Sequence, residues 1–127
     1  MEVIKIIGTD DTPSVTLDAQ NDLFEISGRS LPEDVAAFYE PILDWLDRYS
    51  ASPNEKTVFN FKLVYFNTAS SKLLLDILLK LEEIYEAGND VLIRWHFPED
   101  DEDMEEAGEE YADIVEVPFE QVSYSLD

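Results

Sequence analysis

The sequence predicts a single α/β domain, a mixed β-sheet packed by amphipathic helices, and three observations carry that expectation. Residues 57–66 and 91–97 alternate as strands do and flank a long helical pattern, so a helical crossover should leave the two strands parallel. Residues 14–18 and 23–27 alternate on either side of Ala19-Gln20-Asn21-Asp22, which is the signature of an antiparallel hairpin. The 127 residues suffice for one hydrophobic core but are thin for two.

Taken in order, residues 1–7 alternate loosely as a short strand, and Gly8-Thr9-Asp10-Asp11-Thr12-Pro13 is a turn cluster. The hairpin places Val15 and Leu17 on one face and Phe24 and Ile26 on the matching face, with Gly28 breaking its second strand. Ser30-Leu31-Pro32-Glu33 has the spacing of a capping box, so a helix is expected from about Pro32 with Ser30 at its cap. Val35, Phe38, Ile42, Leu46 and Tyr49 recur at helical intervals as its buried stripe, and Pro41 should kink it.

After a linker at 50–55, residues 57–66 put Phe59, Phe61, Leu63 and Tyr65 on one face of a central strand. One face is expected to be fully covered by helices and the other partly. Residues 67–71 (Asn67-Thr68-Ala69-Ser70-Ser71) form a polar hinge into a second helix at 69–87, ended by Gly88. Leu74, Ile77, Leu78, Leu81, Ile84 and Tyr85 are its buried stripe. Residues 114–126 alternate weakly (Val115, Val117; Val122, Tyr124, Leu126) around Pro118, as an edge strand or a tail would.

Charge narrows the function. Thirty acids against eight bases give a net charge of −22, while 45% hydrophobic and 12% aromatic residues mark a folded protein rather than a disordered acidic tail. So acidic a surface disfavours broad contact with nucleic acid or an anionic bilayer. The charge is unevenly spread: residues 95–127 hold 13 acids and no base. Nine carboxylates fall within 99–110, which reads as a solvated acidic surface loop. With no cysteine there is no disulfide, thiolate metal site or thiol nucleophile. The first apolar run is too short for a signal-peptide core or a membrane span, so a cytoplasmic location is expected.

Catalytic chemistry finds little support. The single histidine, His96, reads as a surface or hydrogen-bonded strand residue, with no nucleophile elbow nearby. Four scattered glycines assemble neither a P-loop nor a dinucleotide fingerprint. A calcium-binding loop starting at Asp101 would need Gly at position 6 and Glu at position 12, where Glu106 and Ala112 stand. No catalytic residue, metal site or cofactor is therefore expected. A small cation-binding module or a carboxylate-dependent hydrolase using 99–110 remains the alternative.

The hinge is the strongest candidate site. Thr68 follows an apolar strand and precedes an apolar-periodic helix, so its hydroxyl lies at or beside the N-cap. A plain cap is the reading that the residues alone favour there; the functional reading is a phosphorylation site, where a phosphoryl group would meet free amides and the positive end of the helix. Asn67, Ala69, Ser70, Ser71 and Lys72 around it, with Arg29 and Ser30 at the end of the hairpin strand, are the candidate partner contacts.

Four stretches resemble the SiaC family of bacterial regulatory phosphoproteins: GTDDTPSV (8–15), FEISGRSLPEDVAAFYEPILDWL (24–46), FKLVYFNTASSK (61–72) and DDEDMEEAGEE (100–110). The resemblance implies a STAS-like fold and a non-catalytic switch protein phosphorylated at Thr68. It implies three partners: a Ser/Thr protein kinase (SiaB-like), a PP2C-type phosphatase (SiaA-like) and a diguanylate cyclase (SiaD-like). The unphosphorylated form would bind and activate the cyclase, raising cyclic di-GMP and promoting aggregation and biofilm formation.

Overall fold

Ile26, Phe61 and Trp95 stand opposite one another across three neighbouring strands, all buried on the same face of one sheet. The computed structural model describes residues 1–125. Its elements in order are β1 (Ile4–Ile6), β2 (Ser14–Asp18), β3 (Leu23–Ser30), α1 (Val35–Tyr49), β4 (Lys56–Phe66), α2 (Thr68–Glu86), β5 (Asp90–Pro98), α3 (Glu102–Ile114) and β6 (Phe119–Tyr124). Spatial order follows sequence order, β1 to β6, with β1, β2 and β3 antiparallel and β3 to β6 parallel. The expected single α/β domain, hairpin and parallel β4–β5 pair are all present.

Three successive parallel crossovers run in one direction across the sheet, and all three helices pack on the same side of it, as crossovers of one hand require. Aromatic contacts trace that layer: Phe24 of β3 meets Trp45 and Tyr49 of α1, and Trp95 of β5 meets Tyr111 of α3. Of the expected α1 stripe, Ile42, Leu46 and Tyr49 are buried, Val35 and Phe38 only partly, and Tyr39 and Trp45 join it. The α1 helix runs through Pro41, which has no N–H to give to the Ala37 carbonyl. In α2 the expected stripe is buried as far as Ile84, but Tyr85 is exposed.

The opposite face of the sheet is half-buried, as expected, and among the described residues the cover comes from its own side chains. Thr16, Glu25, Asn60, Arg94 and Glu120 line up across it in register. These side chains shield one another: Lys62 pairs with Glu25 at 2.9 Å, and His96 Nε2 hydrogen-bonds Asn60 at 2.9 Å.

Several local expectations are corrected. Gly28 does not break β3, because at φ 100° it carries the strand through a register shift against β4 to Ser30. That shift, in which Gly28 faces Leu63 and Arg29 faces Tyr65, turns Tyr65 outward. Ser30 is no helix cap; Asp34 is, its carboxylate accepting from the Ala37 N–H at 3.0 Å, and α1 starts at Val35.

The 99–110 segment is largely helix rather than a loop. Asp101 caps α3 by accepting from Met104 N–H, and the acids Glu102, Asp103 and Glu105 favour its positive end. Met104, Gly108 and Tyr111, at i, i+4 and i+7, supply a buried stripe narrow enough to hide among carboxylates. A Cβ on Gly108 would stand 2.5 Å from the Trp95 ring, so α3 lies closer to the sheet than any other residue there would permit. Residues 119–124 are an edge strand, parallel to β5; Leu126, read as part of that run, lies outside the described residues. Among the described residues no helix is long and apolar enough to cross a membrane.

Candidate functional site

The parallel strands β3 and β4 end side by side at Ser30 and Phe66, and the next residue, Asn67, starts α2. Asn67 gives its N–H to the Ser30 carbonyl at 3.1 Å and accepts the Ser70 N–H on Oδ1 at 2.8 Å, so Asn67 rather than Thr68 is the cap. Thr68 is the first residue of the helix and is exposed. First-turn amides have no partner inside a helix, so this end presents donors and a partial positive charge beside the Thr68 hydroxyl.

Ser70 and Ser30, expected among the partner contacts, are fully buried within this chain. They belong to a closed hydrogen-bond chain. Ser70 Oγ donates to the Ser30 carbonyl at 2.9 Å, Ser30 Oγ donates to Ser70 Oγ at 2.9 Å, and Tyr39 OH completes the chain on Ser30 Oγ at 2.5 Å. With the Ser30 proton committed to Ser70, Tyr39 is the donor in that last bond. Burial pushes the Tyr39 hydroxyl up to about 12, the Ser30 bond acting weakly against it. It therefore stays a neutral donor at any physiological pH.

Ser71 is half-buried. Its hydroxyl donates to the Thr68 carbonyl at 2.6 Å, and its own carbonyl accepts Tyr111 OH at 2.8 Å, which pins α3 to the start of α2. Burial raises the Tyr111 hydroxyl well above its ordinary value, with Tyr39 and Glu110 adding to the effect. Of the three hydroxyls at the hinge, that of Ser70 is buried, that of Ser71 makes an exposed bond within its own turn, and Thr68 is the most exposed residue of the three.

Ala69 and Lys72 are exposed on the same turn, Asn67 is half-buried as the cap, and Arg29 is exposed at the end of β3. Arg29 Nε donates to the Asp10 carbonyl at 3.2 Å, and its guanidinium lies over the Tyr65 ring at 5.3 Å. The Leu31 N–H donates to the Asp11 carbonyl at 2.8 Å, so the loop at 8–13 is docked on the end of β3. Sequence reading treated that loop only as a turn and missed Asp10, Asp11 and Tyr65 as neighbours of the site. Gly8 allows it: a Cβ there would stand 2.7 Å from Ser14 Oγ, which instead accepts the Gly8 N–H.

Among the described residues no group of three or more His, Cys, Asp or Glu is placed to hold a metal ion. His96 lies on the helix-free face. Burial, then Lys62 and Arg94, hold its pKa below the ordinary value against the opposing pull of Glu25 and Glu120. The alternative based on an acidic cation loop thus loses its loop to α3.

A small single-domain α/β protein, with a six-strand mixed sheet, three helices and an exposed threonine at a strand-to-helix junction, is the class that this fold and site define. The chain belongs to the SiaC family: the model of the SiaC family of regulatory phosphoproteins matches residues 6–124. An uncharacterised protein of Pseudomonas aeruginosa (strain UCBPP-PA14) is 33% identical over 119 residues, 94% of each chain. SiaC of Pseudomonas aeruginosa superposes with a TM-score of 0.89 at 31% identity, covering 98% of this chain and 100% of that one. A chain in the crystal structure of the diguanylate cyclase SiaD in complex with its activator SiaC, also from Pseudomonas aeruginosa, gives 0.90 at 31% identity, covering 95% and 99%.

Proposed function

We propose that this protein is a non-catalytic, phosphorylation-switched activator of a diguanylate cyclase, acting in the cytoplasm. In its unphosphorylated form it binds and activates the cyclase, raising cyclic di-GMP and promoting aggregation and biofilm formation. A Ser/Thr kinase phosphorylates Thr68 and ends that activity; a PP2C-type phosphatase restores it. The observation that carries this reading is the exposure of Thr68 in the first turn of α2, beside a Ser70 hydroxyl that is buried and bonded to the end of β3. The likeness to an activator solved with its cyclase supports the choice of partner.

The physics of the switch is local. A phosphoryl group at Thr68 adds about −1.5 to −2 charges at pH 7, next to free amides and one turn before Lys72. The sequence holds no acid between Glu55 and Asp76, so that charge enters a stretch otherwise free of carboxylates. A partner surface suited to a neutral hydroxyl and a positive helix end would then meet a dianion, and no refolding of the domain is needed. The test is intact mass after incubation with the cognate kinase and ATP. One added phosphoryl group that is lost in Thr68→Ala supports the reading, and phosphorylation unchanged in Thr68→Ala contradicts it.

A further inference from the structure

The negative charge of this chain avoids one surface. In the strands up to the Gly28 bulge, the side chains that point away from the helices include Lys5, Lys56, Lys62 and Arg94, and with them Asp18, Glu25, Asp90 and Glu120. Four of the eight bases thus share this face with four of the thirty acids, so the set is neutral and the net −22 comes from residues outside it. Apolar side chains open onto the same face: Leu23 is 53% exposed and Val64 43%, and Val58, Leu92 and Val122 are half-buried among the charges.

The charges are also ordered. Lys5, Thr16, Glu25, Asn60, Arg94 and Glu120 stand in register across all six strands, a row with a cation at the β1 end and an anion at the β6 end. Such a row is complementary to its own reverse. Two sheets stacked face to face about a two-fold axis parallel to the strands, in the aligned packing of β-sandwiches, bring each β1 over the other copy's β6. Lys5 of each copy then faces Glu120 of the other, Glu25 faces Asn60, and Leu23 faces Val58 close to the axis. An axis running across the strands would instead set Lys5 on Lys5 and Glu120 on Glu120.

We propose that the open sheet face is a self-association surface, on which a second copy of this chain stacks sheet against sheet in the first of these orientations. The acids elsewhere on the molecule repel an identical copy, and the neutral face is where that repulsion is least. Six strands about 4.8 Å apart and about six residues long give a face of roughly 27 by 20 Å, so the pair would bury on the order of 1,100 Å², the size of a weak dimer. The helices lie on the outer side of each copy, and the start of α2 with Thr68 stays accessible in both.

The experiment is sedimentation equilibrium from about 5 to 500 µM in about 0.15 M salt, with wild type, Lys5→Glu, Glu120→Lys, the exchange variant carrying both, and Leu23→Glu. Wild type is expected to dimerise within that range. Each single reversal sets like charges together twice in the pair and should weaken association by about tenfold or more, while the exchange variant should return to within about threefold of wild type. Glu120→Lys separates this geometry from bulk repulsion, because it makes the chain less acidic and yet should weaken the dimer. Leu23→Glu should also weaken it by about tenfold or more, which keeps the test intact should either reversal fail to fold. Wild type that stays monomeric at about 500 µM overturns the proposal. A dimer that the folded single variants leave within about twofold of wild type, or that the exchange variant does not restore, overturns it as well.

Discussion

The Ser70 hydroxyl donates to the carbonyl oxygen of Ser30 at 2.9 Å, fastening the first turn of α2 to the end of β3. The same carbonyl takes the Asn67 N–H, so one acceptor holds both the cap and the first turn. Thr68 sits between these two anchors in sequence and on the other side of the helix in space. Its neighbours Asn67 and Ser70 are held by hydrogen bonds to the end of β3 while Thr68 itself is exposed.

Stability should separate these serines from the threonine. Ser30→Ala removes the acceptor of a buried Tyr39 hydroxyl and is expected to cost about 1–3 kcal/mol, whereas Thr68→Ala should stay within about 0.5 kcal/mol. Urea denaturation measures both. A Ser30→Ala midpoint equal to wild type would show that the buried chain contributes nothing.

Loss of the cap is the next case. Asn67→Ala should destabilise the protein by about 1 kcal/mol, because Ser70 N–H loses its side-chain acceptor, while Asn67→Asp should retain the bond and the stability. Thermal melts of the pair check this, and equal melting temperatures for the Ala and Asp variants would contradict it.

Gly108→Ala sets two effects against each other. Alanine favours a helix by about 1 kcal/mol over glycine, but here its methyl meets the Trp95 ring at 2.5 Å and both amide atoms of Gln121 at 2.8 Å. The clash is expected to win, with a net loss of about 1–2 kcal/mol and a shift in tryptophan fluorescence as Trp95 moves. A variant as stable as wild type, with unchanged fluorescence, would contradict the close approach of α3.

His96 links stability to pH. Its folded pKa lies below the ordinary 6.5, through burial first and then the cations Lys62 and Arg94, so the unfolded chain binds the proton more readily. The associated stability is fully present above the unfolded value and is lost as pH falls through the lowered folded value. Between about pH 8 and about pH 5, wild type should lose more unfolding free energy than His96→Gln, since the carboxylate contributions are common to both. Parallel pH profiles would contradict it.

What the sequence made legible follows from periodicity. The β2–β3 hairpin, the Phe59–Phe61–Leu63 face and the α2 stripe through Ile84 each bury a face wide enough to show in the pattern of apolar residues. The α3 helix was hidden because its buried stripe is only Met104, Gly108 and Tyr111 amid seven acids, and a charge run reads as solvated loop. Ser30 matched a capping box, but β3 continues past Gly28 and Asp34 takes the cap, a competition that local spacing does not decide. Tyr65 was misplaced by the register shift for the same reason. At the site, the junction and Thr68 were readable from the switch between strand and helix periods. The burial of Ser70 and Ser30 and the docking of residues 8–13 depend on long-range pairing, which no local pattern encodes.

The most direct test of the switch is to titrate the purified cognate diguanylate cyclase with this protein in two states, unphosphorylated and stoichiometrically phosphorylated at Thr68, while measuring cyclic di-GMP formation. The unphosphorylated protein and Thr68→Ala are expected to stimulate the cyclase, and the phosphorylated protein and Thr68→Asp to leave it at its basal rate. Equal stimulation by the phosphorylated and unphosphorylated forms would contradict the switch at its centre.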